Sequence, residues 1–470
     1  MIMDKYIYKT EPYEHQRQAL IEGANRKEFA YFMEMGTGKT KVTIDNLAYL
    51  YLQKKINLVV VIAPNSVYHN WAKEIDIHCP CETNIYIHKV HKKFEVQEDK
   101  LNFYLINVEA FSHASGVKTL ESIVNLYSAS MCIVIDEATS IKNRQAKRTK
   151  NICKVSKQSL YKRILTGSPI TKSPLDLFSQ CEFLKPGILG FTNYYAFRAR
   201  YSVMKQIQIG ANKNLLIPLY YQHLEELENK IKSFSFRVRK EECLDLPPKI
   251  YERRDIKLSD QQVKLYNSLK ENCRAIIEDE MASYNNKLTE ILKLQQVCNG
   301  FLKTDDGETK EVTNAKLTEL INILDEVDGK VIIWANFVYN IENIIKTLED
   351  KFGQMSVVSI YGDIAVEARN SAVVNFQENK NVRFFVGNPS TGGYGLNLTK
   401  ASTVIYFSNS FNLEVRVQSE DRAHRLGQDN KVTYIDLIAK NTIDEFVIKS
   451  LNQKLTLSAQ TLGEEVLKFL

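Results

Sequence analysis

The sequence predicts an α/β protein of two lobes, each a mainly parallel sheet flanked by helices, with a helical insertion between them. Three observations predict it. Short apolar runs end in polar or glycine-bearing turns, amphipathic stretches of helical spacing separate those runs, and the pattern breaks in the middle of the chain. At 470 residues the chain exceeds what one ordinary core supports, and 44% hydrophobic with 25% charged residues is the composition of a globular protein. The expected division is a first lobe with a helical protrusion over 1–245 and a second lobe with a preceding helical segment over 246–470.

In the first lobe the strand candidates are Phe29–Met33, Leu58–Ala63, Phe103–Val108, Met131–Ile135 and Arg163–Thr166. Several end at the kind of loop where open α/β sheets hold ligands. The second lobe repeats the theme with Val331–Ala335, Val357–Tyr361, Arg383–Val386, Thr403–Phe407 and Val432–Leu437, and with helical spacing in Asn340–Leu348 and Ala365–Phe376. From Pro174 to Val312 strands give way to helical patterns: Leu224, Leu227 and Ile231 share one face, as do Ile291, Leu294 and Val297. Pro247-Pro248 stands near the crossover.

Composition narrows the function. The apolar run Leu58–Ala63 is cut off by Pro64, far short of a membrane span, and the N-terminal residues carry charge rather than a signal-peptide core. A cytoplasmic setting is the expectation, with no membrane partner. A net charge of +6 permits a polyanion partner without requiring one. The basic clusters Arg198, Arg200 and Lys205, then Arg237, Arg239 and Lys240, then Arg253 and Arg254, read as solvated surface unless something else points to nucleic acid. The eight cysteines show no paired C-x-x-C sets. His78, Cys79, Cys81, His88 and His91 are metal-ligand types, but their spacing fits no common zinc pattern; thiols and imidazoles at a strand edge are the better reading.

Chemistry enters at Glu34-Met35-Gly36-Thr37-Gly38-Lys39-Thr40, which follows the first strand and opens a helix. Glycines let the backbone wrap a phosphate with successive N–H groups aimed inward. Met35, Gly36, Thr37 and Gly38 form the cradle, Lys39 supplies a point charge for the β- and γ-phosphates, and the Thr40 hydroxyl can hold Mg²⁺. The usual first glycine of this pattern is Met33 here. Asp136-Glu137 closes the strand Met131–Ile135; Asp136 suits Mg²⁺, and Glu137 suits polarising an attacking water. Together the two motifs predict ATP hydrolysis, with ATP and Mg²⁺ as the bound groups.

At Ile135-Asp136-Glu137-Ala138-Thr139-Ser140-Ile141-Lys142-Asn143 the chain resembles the Swi/Snf-like DNA translocases, a branch of helicase superfamily 2. The resemblance continues in order along nearly the whole length. Pro12-Tyr13-Glu14-His15-Gln16 resembles the adenine-recognition motif, with Gln16 as the reader. Ile62–Val67 followed by Asn70-Trp71 resembles a turn that touches the nucleic-acid backbone, and Leu165–Ile170 a motif that couples the ATP site to the track. Phe183–Gly187 and Phe236–Lys240 resemble segments that mark the branch. Gly392–Leu398 resembles the glycine-rich fifth motif, including Gly395 at the nucleotide. Gln418–Gln428 resembles the sixth, with Gln418, Arg422 and Arg425 expected on one helix face and aimed at the γ-phosphate. Two departures stand out: Thr139-Ser140-Ile141 replaces the family's usual continuation, and Asn388–Thr391 precedes the paired glycines.

What the resemblance implies is a pair of RecA-like lobes that bind ATP at their interface and step along double-stranded DNA as they open and close. Track contacts carried over from it are Asn65, Ser66, Asn107, Lys142, Thr166, Ser168, Asn397 and the basic group Arg237, Arg239 and Lys240. It also implies a compact, accessory-free member from a bacterial or viral setting, acting beside replication or repair partners the sequence does not name. The rival functions are a strand-separating DNA or RNA helicase on the same engine, and a nucleotide-gated DNA-binding switch with little turnover.

Overall fold

The computed structural model describes residues 6–64, 67–89, 94–208, 214–278, 284–304, 306–362, 365–391, 396–464 and 469. It divides into two compact units: Met1–Ser202 with Tyr221–Asp245 and Leu457–Glu465, and Val203–Tyr220 with Leu246–Thr456 and Val466–Leu470.

The first part of the chain forms β1 (Glu28–Met33), β2 (Leu58–Ala63), β3 (Thr83–Ile87), β4 (Leu101–Asn107), β5 (Met131–Asp136) and β6 (Tyr161–Leu165), then β7 (Ser202–Gln208), β8 (Asn214–Tyr221) and β9 (Ser235–Val238). The sheet of the first unit has the order β3-β4-β2-β5-β6-β1-β9, with every pairing parallel. Alternation across the pleat explains why Leu58–Ala63 is apolar throughout. Leu58, Val60 and Ile62 face one core with Ile133, Ile135 and Ile164. Val59, Val61 and Ala63 face the other with Val42, Leu47 and Trp71. Each such aliphatic side chain removed from water stabilises the unit by roughly 1.5–3 kcal/mol. Helices α1 (Glu14–Gly23), α2 (Lys39–Leu52) and α3 (Tyr68–His78) contribute to the second of these cores.

In the second unit β10 (Lys249–Ile256), β13 (Lys330–Trp334), β14 (Val357–Ile360), β15 (Phe384–Gly387), β16 (Ala401–Tyr406) and β17 (Val432–Ala439) make a parallel sheet of order β10-β17-β16-β13-β15-β14. The small pair β11 (Phe301–Lys303) and β12 (Thr309–Glu311) is antiparallel. Val331 and Ile333 again face one core while Ile332 and Trp334 face the opposite one. The expected fold class, two α/β lobes built on parallel sheets, is therefore what the chain adopts.

The middle segment differs from its expected all-helical character. Its helices are there, including Leu224–Lys232, Asp260–Glu278 and Tyr284–Cys298. But β9 joins the first sheet beside β1, β10 joins the second beside β17, and β7 pairs with β8. Both β9 and β10 are edge strands. β10 (Lys-Ile-Tyr-Glu-Arg-Arg-Asp-Ile) exposes charged residues along most of its length, as edges commonly do, and that hides the strand signal. Among the described residues no helix is long and apolar enough to cross a membrane.

Candidate nucleotide site and arginine motif

The order β5-β6-β1 sets the carboxyl ends of three strands side by side in the first unit. The loop after β1 contains Gly36 at φ 87° and Gly38 at φ 89°, left-handed conformations that glycine adopts without strain. A Cβ on Gly38 would lie 2.2 Å from Gln16 Nε2, so space as well as torsion demands glycine there. Gln16 is buried; its Nε2 donates to the Thr37 carbonyl at 3.1 Å and its Oε1 accepts the Tyr13 N–H at 3.1 Å. His15 Nε2 donates to the same Thr37 carbonyl at 2.8 Å. Two side chains of α1 thus hold the loop from outside. Within it, the Thr37 hydroxyl and Lys39 Nζ both donate to the Glu34 carbonyl, at 2.8 and 3.2 Å. Thr40 follows in the first turn of α2, whose N-terminal amides and dipole favour an anion.

Asp136 ends β5, buried. Trp71 Nε1 donates to its Oδ2 at 2.8 Å and the Glu137 N–H to its Oδ1 at 2.9 Å. Burial pushes its carboxyl above the ordinary range, and the Trp71 hydrogen bond and the Lys39 charge oppose that shift. Glu137 sits at φ 53°, a left-handed conformation that costs a non-glycine residue roughly 1–2 kcal/mol. Its Oε1 accepts from the hydroxyls of Thr139 at 3.1 Å and Thr166 at 2.9 Å. The loop after β6 therefore grips the acidic pair. It also abuts the phosphate loop: a Cβ on Gly167 would stand 3.2 Å from the Met35 nitrogen.

These positions correct several expected track contacts. Thr166 is fully buried with its hydroxyl on Glu137, which places it behind the acidic pair and away from any surface a nucleic acid could reach. Arg237 donates to the carbonyls of Phe32 and Gly167 at 3.2 and 2.8 Å and is ion-paired with Glu464 and Glu34. Arg239 pairs with Glu241 and Glu242, and Lys240 is buried with its backbone N–H on Glu34 Oε2. Arg237 and the Lys240 N–H thus brace Glu34 at the start of the phosphate loop, and carboxylates already engage the charges of Arg237 and Arg239. Asn107 accepts the Ala110 N–H at 3.0 Å as a helical cap, Lys142 Nζ donates to Thr171 Oγ1 at 2.8 Å, and the Ser168 N–H donates to Thr166 Oγ1 at 3.2 Å. Asn65 and Ser66 lie outside the described residues.

In the second unit the helix Leu413–Glu420 carries Gln418, which is buried, and stops there. Arg422 and Arg425 were expected to continue it; instead they lie in successive turns. The Arg422 carbonyl accepts the Leu398 N–H at 3.0 Å, so the chain pairs here with the last residue of the fifth motif. Arg422 is buried, Arg425 is half-buried, and Arg425 Nη1 donates to the Leu396 carbonyl at 3.3 Å. Gln428 Nε2 donates to the carbonyls of Thr399, Ala401 and Ala423, at 2.9, 2.9 and 3.1 Å. The fifth and sixth motifs are thereby locked together. Asn397 is exposed, and Gly392–Gly395 lie outside the described residues. Beneath them, Arg416 binds Asp436 through both Nη atoms at 2.6 and 2.9 Å and Glu420 at 2.8 Å. Burial pushes the Glu420 carboxyl up, but Lys249 and Arg416 outweigh it and hold it below the usual range.

The cysteine–histidine stretch has ordinary partners. His78 bonds Thr10 Oγ1 at 2.6 Å and Glu74 at 3.3 Å, and His88 bonds the Tyr104 hydroxyl at 2.6 Å. His91 lies outside the described residues. Among the described residues no group of three or more His, Cys, Asp or Glu is placed to hold a metal.

Residues 31–301 match the SNF2-related domain, and residues 314–427 match the helicase conserved C-terminal domain. The chain belongs to the SNF2-related family. Its relatives in that family include an uncharacterized ATP-dependent helicase of Mycoplasma genitalium, 30% identical over 92% of this chain and 40% of that protein. Another of that description from Mycoplasma pneumoniae is 30% identical over 98% of this chain and 43% of that one. The ISWI chromatin-remodeling complex ATPase CHR11 of Arabidopsis thaliana is 27% identical over 91% and 40%. The chain thus spans about two fifths of the length of these relatives. A solved SWI2/SNF2 ATPase core of Sulfolobus solfataricus, in complex with double-stranded DNA, is similar with a TM-score of 0.46 and 26% identity, over 99% of this chain and 96% of that one. The two matched domains are those of an ATP-hydrolysing, helicase-like enzyme.

The SNF2-related site fits a magnesium-bound triphosphate on its own geometry. Two left-handed glycines open the cradle, a helix N-terminus faces it, and one buried carboxylate keeps free lone pairs beside the loop. A single carboxylate and a hydroxyl suit Mg²⁺, which takes its remaining ligands from water and phosphate. Trp71, Gln428 and Arg416 have no part in the sequence-predicted site. Trp71 and Gln428 stand within quoted motif strings, but only their partners in space give them a task.

Proposed function

We propose that the chain is an ATP-dependent translocase on double-stranded DNA, which couples ATP hydrolysis to movement along the duplex or to remodelling of DNA structures and DNA-bound proteins. The observation that carries the ATPase part is the juxtaposition, at the carboxyl ends of three adjacent strands, of the phosphate loop, Asp136-Glu137 and the Thr166 loop. In this reading Gln16 holds the loop and meets the adenine, the amides from Met35 to Lys39 bind phosphate oxygens, and Lys39 neutralises the β- and γ-phosphates. Thr40 and Asp136 hold Mg²⁺, which supplies charge neutralisation on the phosphates. Glu137, oriented by two threonine hydroxyls, polarises the attacking water. Arg422 and Arg425 stabilise the charge that develops on the transferred phosphoryl group, with Gln418 and Gly395 at the same nucleotide. The lobes are taken as 1–245 and 246–470.

Duplex DNA as the track is supported by the SNF2-related match over residues 31–301. With the basic brace and Thr166 withdrawn, the contacts proposed are Asn65, Ser66, Asn107, Lys142, Ser168 and Asn397, all backbone contacts that carry little sequence information. Displacement of a third strand from a triplex, run beside unwinding of a forked duplex, tests the proposal. ATP-dependent triplex displacement without fork unwinding is the expected result; fork unwinding without displacement would make the chain a strand-separating helicase.

A further inference from the structure

We propose that Trp71 is a positioning residue for the metal step: its indole N–H fixes the orientation in which the Asp136 carboxylate meets Mg²⁺. The proposal rests on the nucleotide reading above. Trp71 lies on α3, almost wholly buried at 1% exposure, in the apolar cluster that includes Val42, Val61 and Val134. Its single polar atom, Nε1, donates to Asp136 Oδ2 at 2.8 Å, while the Glu137 backbone N–H donates to Oδ1 at 2.9 Å.

The two donors come from different elements, a helix and the strand's own continuation. Each ties one oxygen, so the carboxylate cannot rotate without breaking a bond. An ionised carboxylate oxygen accepts more than one bond, so both keep capacity for a cation. A buried indole has little torsional freedom, and the packing of its body therefore sets the place of the donor. Apolar filling alone would need no N–H here. Asp136 is itself buried, and a donor lost at that depth leaves an acceptor that bulk water does not readily reach. Residues that orient a metal ligand in this way change metal affinity when removed, while the other determinants of nucleotide binding stay in place.

The test is Trp71→Phe, which keeps an aromatic body and deletes the donor. Mn²⁺ binding in the presence of ADP, followed by loss of the free-ion paramagnetic signal, should weaken roughly 10- to 100-fold. Metal-free ADP binding should stay within about twofold of wild type, since that deletion touches only the metal ligand. A folded variant with wild-type Mn²⁺ affinity overturns the proposal. Should Trp71→Phe fail to fold, the Trp334→Phe protein leaves Trp71 as its sole tryptophan, because the chain has two. Mg²⁺ added to its ADP complex should then shift the emission, and Asp136→Asn should abolish that metal-dependent shift; an emission blind to Mg²⁺ overturns the proposal. Wild-type protein that binds no Mn²⁺·ADP at all would sink the nucleotide reading as well, whereas normal wild-type binding with an unaltered variant sinks only the role of Trp71.

Discussion

Replacing Thr166 by valine deletes one hydroxyl and preserves the branched shape at a fully buried position. The hydroxyl donates to Glu137 Oε1 at 2.9 Å and accepts the Ser168 N–H at 3.2 Å. Its loss leaves the Thr139 hydroxyl on that oxygen at 3.1 Å. A hydrogen bond to a charged group contributes about 1.5–3 kcal/mol. If that orientation is needed in the transition state, the kcat for ATP should fall by roughly 10- to 150-fold, at 1.36 kcal/mol per decade. The assay is steady-state ATP hydrolysis at saturating duplex, with the duplex Kd measured separately by fluorescence anisotropy. A buried group cannot touch the track, so the Kd should not change. A normal kcat with a weakened duplex Kd would refute the reasoning and restore Thr166 as a track contact.

Gly38→Ala should abolish ATP binding: a side chain at φ 89° costs about 1–2 kcal/mol, and its Cβ would displace the Gln16 amide, as nucleotide titration can show. Arg425→Ala should cut turnover by at least about 10³ while nucleotide affinity holds, and an unchanged rate would remove Arg425 from the chemistry. Asp436→Asn strips the buried Arg416 guanidinium of its bidentate partner and should destabilise the second unit by about 3–5 kcal/mol in urea titration. A midpoint within experimental error of wild type would contradict that account of the network.

Much of the fold was legible because its strands bury both faces. Leu58–Ala63 and Met131–Ile135 are continuous apolar runs, and only a sheet covered by helices on both sides calls for that pattern. The edge strands were not legible, since β9 and β10 carry Arg237, Arg253 and Arg254 on exposed or half-exposed faces and alternate weakly. At the site, the loop and the acidic pair could be read because their spacing is local. What could not be read is partnership across the sheet: Trp71 stands 65 residues before Asp136, and Thr166 stands 29 residues after Glu137. The basic string Arg237–Lys240 misled for the same reason. Charge in sequence says nothing of the carboxylates that fold beside it, here Glu34, Glu241, Glu242 and Glu464. The helix expected to carry Arg422 and Arg425 ends at Glu420, and the Arg422 carbonyl accepts the Leu398 N–H, a long-range bond that periodicity does not record.

If the phosphate cradle and acidic pair of the first unit hydrolyse ATP in response to a DNA track, turnover must depend on both Lys39 and the nucleic acid supplied. ATP hydrolysis measured in parallel with long duplex DNA, single-stranded DNA and RNA, for the wild type and for Lys39→Ala, tests it most directly. Stimulation by duplex above the other two, absent in the variant, is the predicted result. Hydrolysis at background with every nucleic acid, or a rate that survives loss of Lys39, would contradict it.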